Sequence, residues 1–555
     1  MRFSVSTASS KESLQYTTAS TACMKPPCDE AVIRSRRDES PCRAQAGPWI
    51  LAATILGSSL AFIDSTVVNV ALPALQASLH ATIVDVQWVV ESYGLFLGAL
   101  ILVGGSFGDL FGRRRMFVLG VAVFAIASAV CGVASNIHQL VIARSIQGMG
   151  AAFLVPGSLA IISASFDEKT RGQAIGTWSG FTAITTAIGP VVGGWLVEHA
   201  SWRWVFFINL PLSALVIALS LWHIPESRSV AARRIDWLGA LVGTVGLGGL
   251  VFGFVESTNL GWSNPLVFGS LTIGVAALAG FVFVESTVTS PMVPLILFRS
   301  GSFSGANLLT LFLYAAIGIF FFLFPLNLIQ VQGYSATATG AAVLPLILLM
   351  FALSRWSGGL VARYGARGPL IIGPLIVAAG FALFAVPSAG ASYWKAFFPP
   401  MIVLGFGMAV TVAPLTTVVM SSVDQDHAGT ASGINNAVAR IAGVLAIAVL
   451  GVVMVSAFGF TLKHELANLG LSPDVRGEIQ SKVTRLAGLE LPSNLDASTS
   501  AAIRNAINQA FVFGFRLIML VCVGLAIASS AVAWLFPMNH SLSRYSSGTS
   551  SSGTS

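Results

Sequence analysis

Charged side chains are scarce in this sequence. Only 10% of its 555 residues are Asp, Glu, Lys or Arg, against about 25% in an ordinary soluble domain. Too little polar surface is available to cover the several separate cores that a soluble chain of this length would build. Cysteine is also sparse, at five. Cys131 and Cys522 lie in apolar runs and read as packing residues. Cys23, Cys28 and Cys42 have no zinc spacing and no partnering histidine. The seven histidines show no metal-ligand pattern either. There is no phosphate-binding loop, which argues against ATP-driven work. Gly246-Leu-Gly248-Gly249 sits inside an apolar run and follows no strand, so it does not read as a dinucleotide site. The net charge of +7 comes without a basic domain or an aromatic platform, which excludes nucleic acid as the natural partner. Residues 1–46 lack the apolar core of a signal peptide. They read as a disordered cytoplasmic tail, within which Met24 is an alternative start.

What the sequence has instead is apolar length. Hydrophobic residues make up 55% and mean hydropathy is +0.81. They fall in runs at about 48–72, 87–107, 116–135, 139–163, 173–197, 203–223, 237–256, 265–285, 304–328, 337–358, 369–388, 396–419, 430–458 and 511–536. A helix of about 20 residues crosses a ~30 Å hydrocarbon core. The expectation is an all-α membrane protein with fourteen spans. The 55 glycines suit close helix packing in lipid.

Lysine and arginine set the orientation. Arg34, Arg36, Arg37 and Arg43 lie in the N-terminal tail. Arg113, Arg114, Arg115, Lys169, Arg171, Arg228, Arg233, Arg234, Arg299, Arg363 and Arg367 lie in the even-numbered connections. The short odd-numbered ones carry little beyond Arg203 and Lys395. Both termini are therefore expected in the cytoplasm of a multi-pass cell (inner) membrane protein. The long 459–510 segment, with an amphipathic stretch near 476–488, is expected outside.

The chain also repeats itself. Gly105 and Gly358, Gly112 and Gly365, and Arg114 and Arg367 are each 253 positions apart. Gly172 and Gly429, Gly176 and Gly433, and Gly194 and Gly451 are each 257 apart. Spans 1–6 thus correspond to spans 9–14, with spans 7 and 8 inserted. The expected organisation is a bundle at 47–223, a cytoplasmic linker at 224–236, an inserted pair at 237–285, a second bundle at 286–536 and a cytoplasmic tail at 537–555. Parallel halves around a central path are a transporter layout.

Several intramembrane residues carry chemistry. A charge within a span must face a cavity or a partner. Asp64 is the carboxylate deep in span 1, and Arg144 lies in span 4 with Gln147 one turn on. A carboxyl that meets a cation in one state and not in another can take up and release a proton. Glu91 in span 2 is a second candidate for proton coupling. Gly105, Asp109, Gly112, Arg113 and Arg114 form a tight turn between spans 2 and 3 that reads as a conformational switch. Gly180, Gly189, Pro190, Gly193 and Gly194 form a small-residue hinge in span 5. Asn69, Tyr93, Gln147, Trp178, Asn435 and Arg440 are candidates to line a substrate cavity, with the aromatics Phe62, Trp88 and Phe181. Arg516 reads as a snorkelling residue.

These segments resemble the major facilitator superfamily, and in particular its fourteen-helix drug:proton antiporter family of the EmrB/QacA type. Gly105–Arg115 resembles the superfamily's loop 2–3 motif and Arg144–Ala152 its span-4 motif. Gly180-x8-Gly189-Pro190-x2-Gly193-Gly194 is similar to the antiporter motif. Asp64-Ser-Thr-Val-Val-Asn69-Val-Ala-Leu-Pro73 and Trp202–Pro211 resemble fourteen-helix family motifs at span 1 and at the entry to span 6. The resemblance covers about 47–536. It implies a major facilitator fold of two six-helix bundles plus two inserted helices, and export by alternating access of amphipathic small molecules, cationic ones among them. It implies that Asp64 and Arg144 serve proton coupling and that Asp109 with Arg113 stabilises the outward-facing state. It also implies a proton gradient as driving force with no cofactor, and in some cells a periplasmic adaptor and an outer-membrane channel. Leu110 stands where the family usually has a basic residue, and Glu91 where it more often has a small polar one. An exporter of one specific metabolite is the alternative. A membrane receptor or membrane-embedded enzyme fits less well.

Overall fold

The computed structural model describes residues 41–228, 236–423, 428–492 and 495–536. Residues 1–40 and 537–555 of the expected tails, with Cys23, Cys28 and Met24, and Arg233 and Arg234 of the linker lie outside the described residues, whereas residues 41–46, expected in the disordered tail, are helical and open span 1. Fourteen helices are long and apolar enough to cross a membrane. Spans 1 to 6 are Pro41–Ser78, Ile83–Phe111, Arg113–Val133, Ile137–Ala151 continued by Leu154–Ser165, Glu168–His199, and Trp204–Phe207 continued by Asn209–His223. Spans 7 and 8 are Trp237–Leu260 and Pro265–Thr287. Spans 9 to 14 are Gly301–Leu326, Ala336–Ala342 continued by Leu344–Tyr364, Arg367–Phe384, Phe398–Ser421, Ala428–Ala467 and Ala497–Leu535.

The two halves repeat one packing plan. Span 1 packs on spans 5 and 6 as span 9 packs on spans 13 and 14. Spans 2 and 3 pack on span 4 as spans 10 and 11 pack on span 12. The duplicated glycines explain how. A Cβ on Gly150 would lie 2.7 Å from the Phe124 nitrogen, and one on Gly407 would lie 2.7 Å from the Val377 nitrogen. Likewise Gly148 meets the backbone of Tyr93, and Gly405 that of Leu346. Only glycine allows backbones this close. The turns match too: Gly112 has φ 114° and Gly365 φ 72°. Their N–H groups close spans 2 and 10 onto the carbonyls of Gly108 and Val361, at 3.1 and 3.0 Å.

The halves meet mainly on the side away from the chain's N-terminus, here called the far side. A Cβ on Gly340 of span 10 would sit 1.9 Å from the Pro190 carbonyl oxygen of span 5. Gly194 fits the Ala336 backbone equally closely. The Thr337 N–H donates to Glu198 at 3.2 Å, and Gln330 donates to Gln76 at 2.8 Å. Near the opposite end of span 5, a Cβ on Gly176 or Gly180 would touch nothing within 4 Å. The molecule is thus sealed on the far side and open toward the terminal side.

Spans 13 and 14 reach well into the 459–510 segment. Helices lengthen past the apolar window because water satisfies their polar faces, so hydropathy alone does not mark their ends. A further helix, Pro473–Ser481, lies between them. Span 7 packs on both span 2 and span 13, and span 8 packs on span 7. Trp88 of span 2 donates to Glu256 of span 7 at 2.7 Å.

Candidate functional site

Spans 1, 2, 3, 4 and 6 converge on one buried ion pair. Arg144 Nη1 donates to Asp64 Oδ2 at 2.5 Å and to Gln147 Oε1 at 2.7 Å. Gln147 Nε2 donates to the other oxygen, Asp64 Oδ1, at 2.8 Å. Asn209 donates to that same oxygen at 3.2 Å. Ser128 sits beneath, accepting from Gln147 and Asn209 at 2.9 Å each and donating to the Phe206 carbonyl at 3.2 Å. Arg144 Nε donates to the Val89 carbonyl at 3.1 Å, and the guanidinium carbon lies 4.2 Å from the centre of the Tyr93 ring. Asp64 and Arg144 are 0% and 1% exposed.

Local geometry explains why these residues meet. Arg144 and Gln147 are three apart, so they share one face of span 4. Gly148 lets the backbone of Tyr93 approach span 4, which brings the Val89 carbonyl within reach of the arginine. Asn209 opens the second segment of span 6. A carboxylate with three donors, one of them a cation, satisfies the demand that a buried charge be paired and hydrogen-bonded. Among the described residues the second half has no such cage. The positions 257 after Arg144 and Gln147 are Met401 and Leu404, both fully buried.

Glu91 is not part of this cage. It shares a face of span 2 with Gln87, Gly94 and Gly98, which look toward span 13. Gln87 donates to the Ile447 carbonyl at 3.1 Å, and Gly94 lies against Val444. Glu91 is 0% exposed, and neither carboxyl oxygen has a hydrogen-bond partner. A carboxyl therefore waits, unpartnered, in the seam between the halves.

Tyr93 and Gln147, expected at a cavity wall, are sealed into the ion-pair cage, with the Tyr93 hydroxyl donating to the Ala61 carbonyl at 3.3 Å. Trp178 donates to Ser58 at 3.0 Å and so docks span 5 on span 1. Asn435 donates to Asn307 and Thr310, at 3.1 and 2.7 Å, and ties span 13 to span 9. Asn69 is half-buried, with its carbonyl oxygen unpartnered. Arg440 is half-buried and extends over Phe62 of span 1, 5.4 Å from the ring centre. Arg516 donates to the Val386 and Pro387 carbonyls at the end of span 11.

The small-residue face of span 5 divides in two. Gly189 and Gly193 pack on Thr66 and Val67 of span 1, while Pro190 and Gly194 face span 10. The helix continues through Pro190 without a break. At the 2–3 turn, Arg113 donates to Asp109 at 2.7 and 2.9 Å. The dominant contact there is one that sequence reasoning missed. Glu226, just beyond span 6, accepts from the backbone N–H groups of Arg114 and Arg115 at 3.2 Å each. It lies against Gly112, where any side chain would collide with it. A carboxylate capping a helix N-terminus satisfies its free donors and its dipole. Gly105, by contrast, makes ordinary contact with Pro156.

The Major Facilitator Superfamily model matches residues 54–447. The chain is 33% identical over 496 residues to the tetracenomycin C resistance and export protein of Streptomyces glaucescens, covering 88% of this chain and 91% of that one. It is 36% identical to the multidrug resistance protein Stp of Mycobacterium tuberculosis, covering 75% and 77%. Among solved structures, a bacterial homologue of the lysosomal transporter Spinster, inward-facing and unoccupied, superposes with a TM-score of 0.61. Its identity is 16%, covering 89% of this chain and 98% of that one.

Proposed function

The chain belongs to the Major Facilitator Superfamily and is a transporter, and from that premise we propose that it exports amphipathic small molecules in exchange for protons. The observation that carries the coupling is the Asp64–Arg144 cage. Protonating Asp64 removes one charge of the pair and one reason for Arg144, Gln147 and Asn209 to converge on span 1. Span 1 also carries Phe62, against Arg440 of the second half, and Thr66, against the span 5 hinge. A rearrangement at Asp64 would thereby act on the Arg440 contact with the second half and on span 5, which meets span 10. Glu91 is proposed as a second proton carrier. Ionised in its present seam it would lack any donor, a state that costs several kcal/mol. Parting spans 2 and 13 would admit water and allow the proton to leave.

The proposed setting is the cell (inner) membrane, with both termini in the cytoplasm. The excess of arginine in the terminal-side turns supports that orientation. On this reading the far side is outside, and the structure is the inward-facing state that receives substrate from the cytoplasm. Close relatives are named for export of, or resistance to, antibiotics and drugs, which supports export as the direction. The tetracenomycin name also keeps in view the reading in which one compound is the cargo.

Substrate movement into everted vesicles under an imposed proton gradient tests the proposal. Gradient-dependent movement is expected in the native protein and not in Asp64→Asn. Gradient-independent movement, or an unimpaired variant, would overturn it.

A further inference from the structure

The charges at the depth of the ion pair are unequally disposed. Asp64 is buried and committed to Arg144. Glu91 is buried in the seam. Arg440, in contrast, is half-buried and reaches space between the halves. Its stem lies on span 2, where a Cβ on Gly98 would be 3.5 Å from Arg440 Cβ. Its head lies over Phe62. Among the described residues no carboxylate is within ion-pair distance of it, and it donates no hydrogen bond.

An arginine at this depth is costly unless it is compensated. The Phe62 ring supplies part of that compensation as a cation–π contact. The five guanidinium donors remain for something that is not part of the protein. A carboxylate beside Arg440 would have favoured a cation there; at this depth the unpaired charge is positive, while the acids Asp64 and Glu91 are buried.

We infer that Arg440 is a substrate-recognition residue. The preferred cargo is a planar aromatic molecule carrying an anionic oxygen, such as a phenolate, enolate or carboxylate. Its oxygen takes the guanidinium donors and its ring lies along Phe62. Charge-assisted bonds to a planar guanidinium suit such groups. The inference rests on the export reading above and narrows its substrate class. It reverses the cationic preference that the family resemblance suggests.

Equilibrium binding separates the two readings because it needs no gradient. Fluorescein and rhodamine 6G share a xanthene ring, and at neutral pH the first is anionic and the second cationic. Their binding to the purified full chain in nanodiscs is measured by fluorescence anisotropy. Fluorescein is expected to bind about tenfold or more tightly than rhodamine. Arg440→Gln is expected to erase that difference by weakening fluorescein alone, and Arg440→Lys to keep part of it. Thermal unfolding of each variant reports whether it folds, and Arg440→Lys carries the test if Arg440→Gln does not. Equal or tighter rhodamine binding, an equal loss for both dyes, or no binding of either overturns the inference. Loss of gradient-driven transport with dye selectivity intact would overturn the coupling proposal and leave this one standing.

Discussion

Asn209 and Gln147 donate to the same oxygen of Asp64, at 3.2 and 2.8 Å, from two different helices of the first bundle. The carboxylate is therefore held from span 6 as well as from span 4. A hydrogen bond to a charged group contributes about 1.5–3 kcal/mol. Asn209→Ala is expected to slow gradient-driven transport about tenfold while leaving the protein folded. Initial rates in everted vesicles check this, and native rates in the variant would refute the role.

Breaking a buried pair from one side strands the other charge, at about 3–5 kcal/mol. Arg144→Met should therefore lower the thermal midpoint of the purified protein sharply. The double variant Asp64→Leu with Arg144→Met should recover much of that stability and transport nothing. A double variant no more stable than the single one would contradict the picture of a compensated pair.

The far-side closure depends on Gly340. A methyl group there collides with the Pro190 carbonyl, and overpacking costs about 1–3 kcal/mol. Gly340→Ala should shift the conformational equilibrium about 5–150-fold away from the sealed state. Gly176→Ala, which meets open space, should not. Spin labels at A200C and A338C, on the far-side ends of spans 5 and 10, would report the separation. An unchanged distance distribution in Gly340→Ala would refute this closure.

Glu226→Gln removes the charge that caps span 3. The expected loss is about 1 kcal/mol of stability. Asp109→Asn should cost less, since its pair with Arg113 is 40% exposed at the carboxylate and exposed pairs contribute little. Comparing the two melting curves decides which acid holds this turn. A larger loss from Asp109→Asn would assign it to the motif's own aspartate.

The fourteen spans were legible because the bilayer imposes a length and a composition on each. Asp64 and Arg144 were legible because charge within such a run demands a partner. Their cage was less so. Ser128 is an ordinary hydroxyl in an apolar run, and Asn209 drew notice only as part of a resemblance at the entry to span 6. Glu226 lies in a polar connection, where acids are common and nothing in the spacing marks one as a cap. Tyr93 was misplaced because an aromatic residue near a charge can line a cavity or form a lid. Glu91 was seen as an intramembrane acid, yet its facing toward span 13 depends on which side of span 2 meets the second half.

The inserted pair has a consequence for the route a molecule takes. The two matched bundles meet along two seams, one at spans 2 and 13 and one at spans 5 and 10. Span 7 covers the first and is stitched to it by Trp88 and Glu256, with span 8 outside it as the least covered of the fourteen apolar windows. The molecule is thereby one-sided within the plane of the membrane. A molecule dissolved in the leaflet would meet span 7 before it met the seam of spans 2 and 13, whereas the described residues place no such helix across spans 5 and 10.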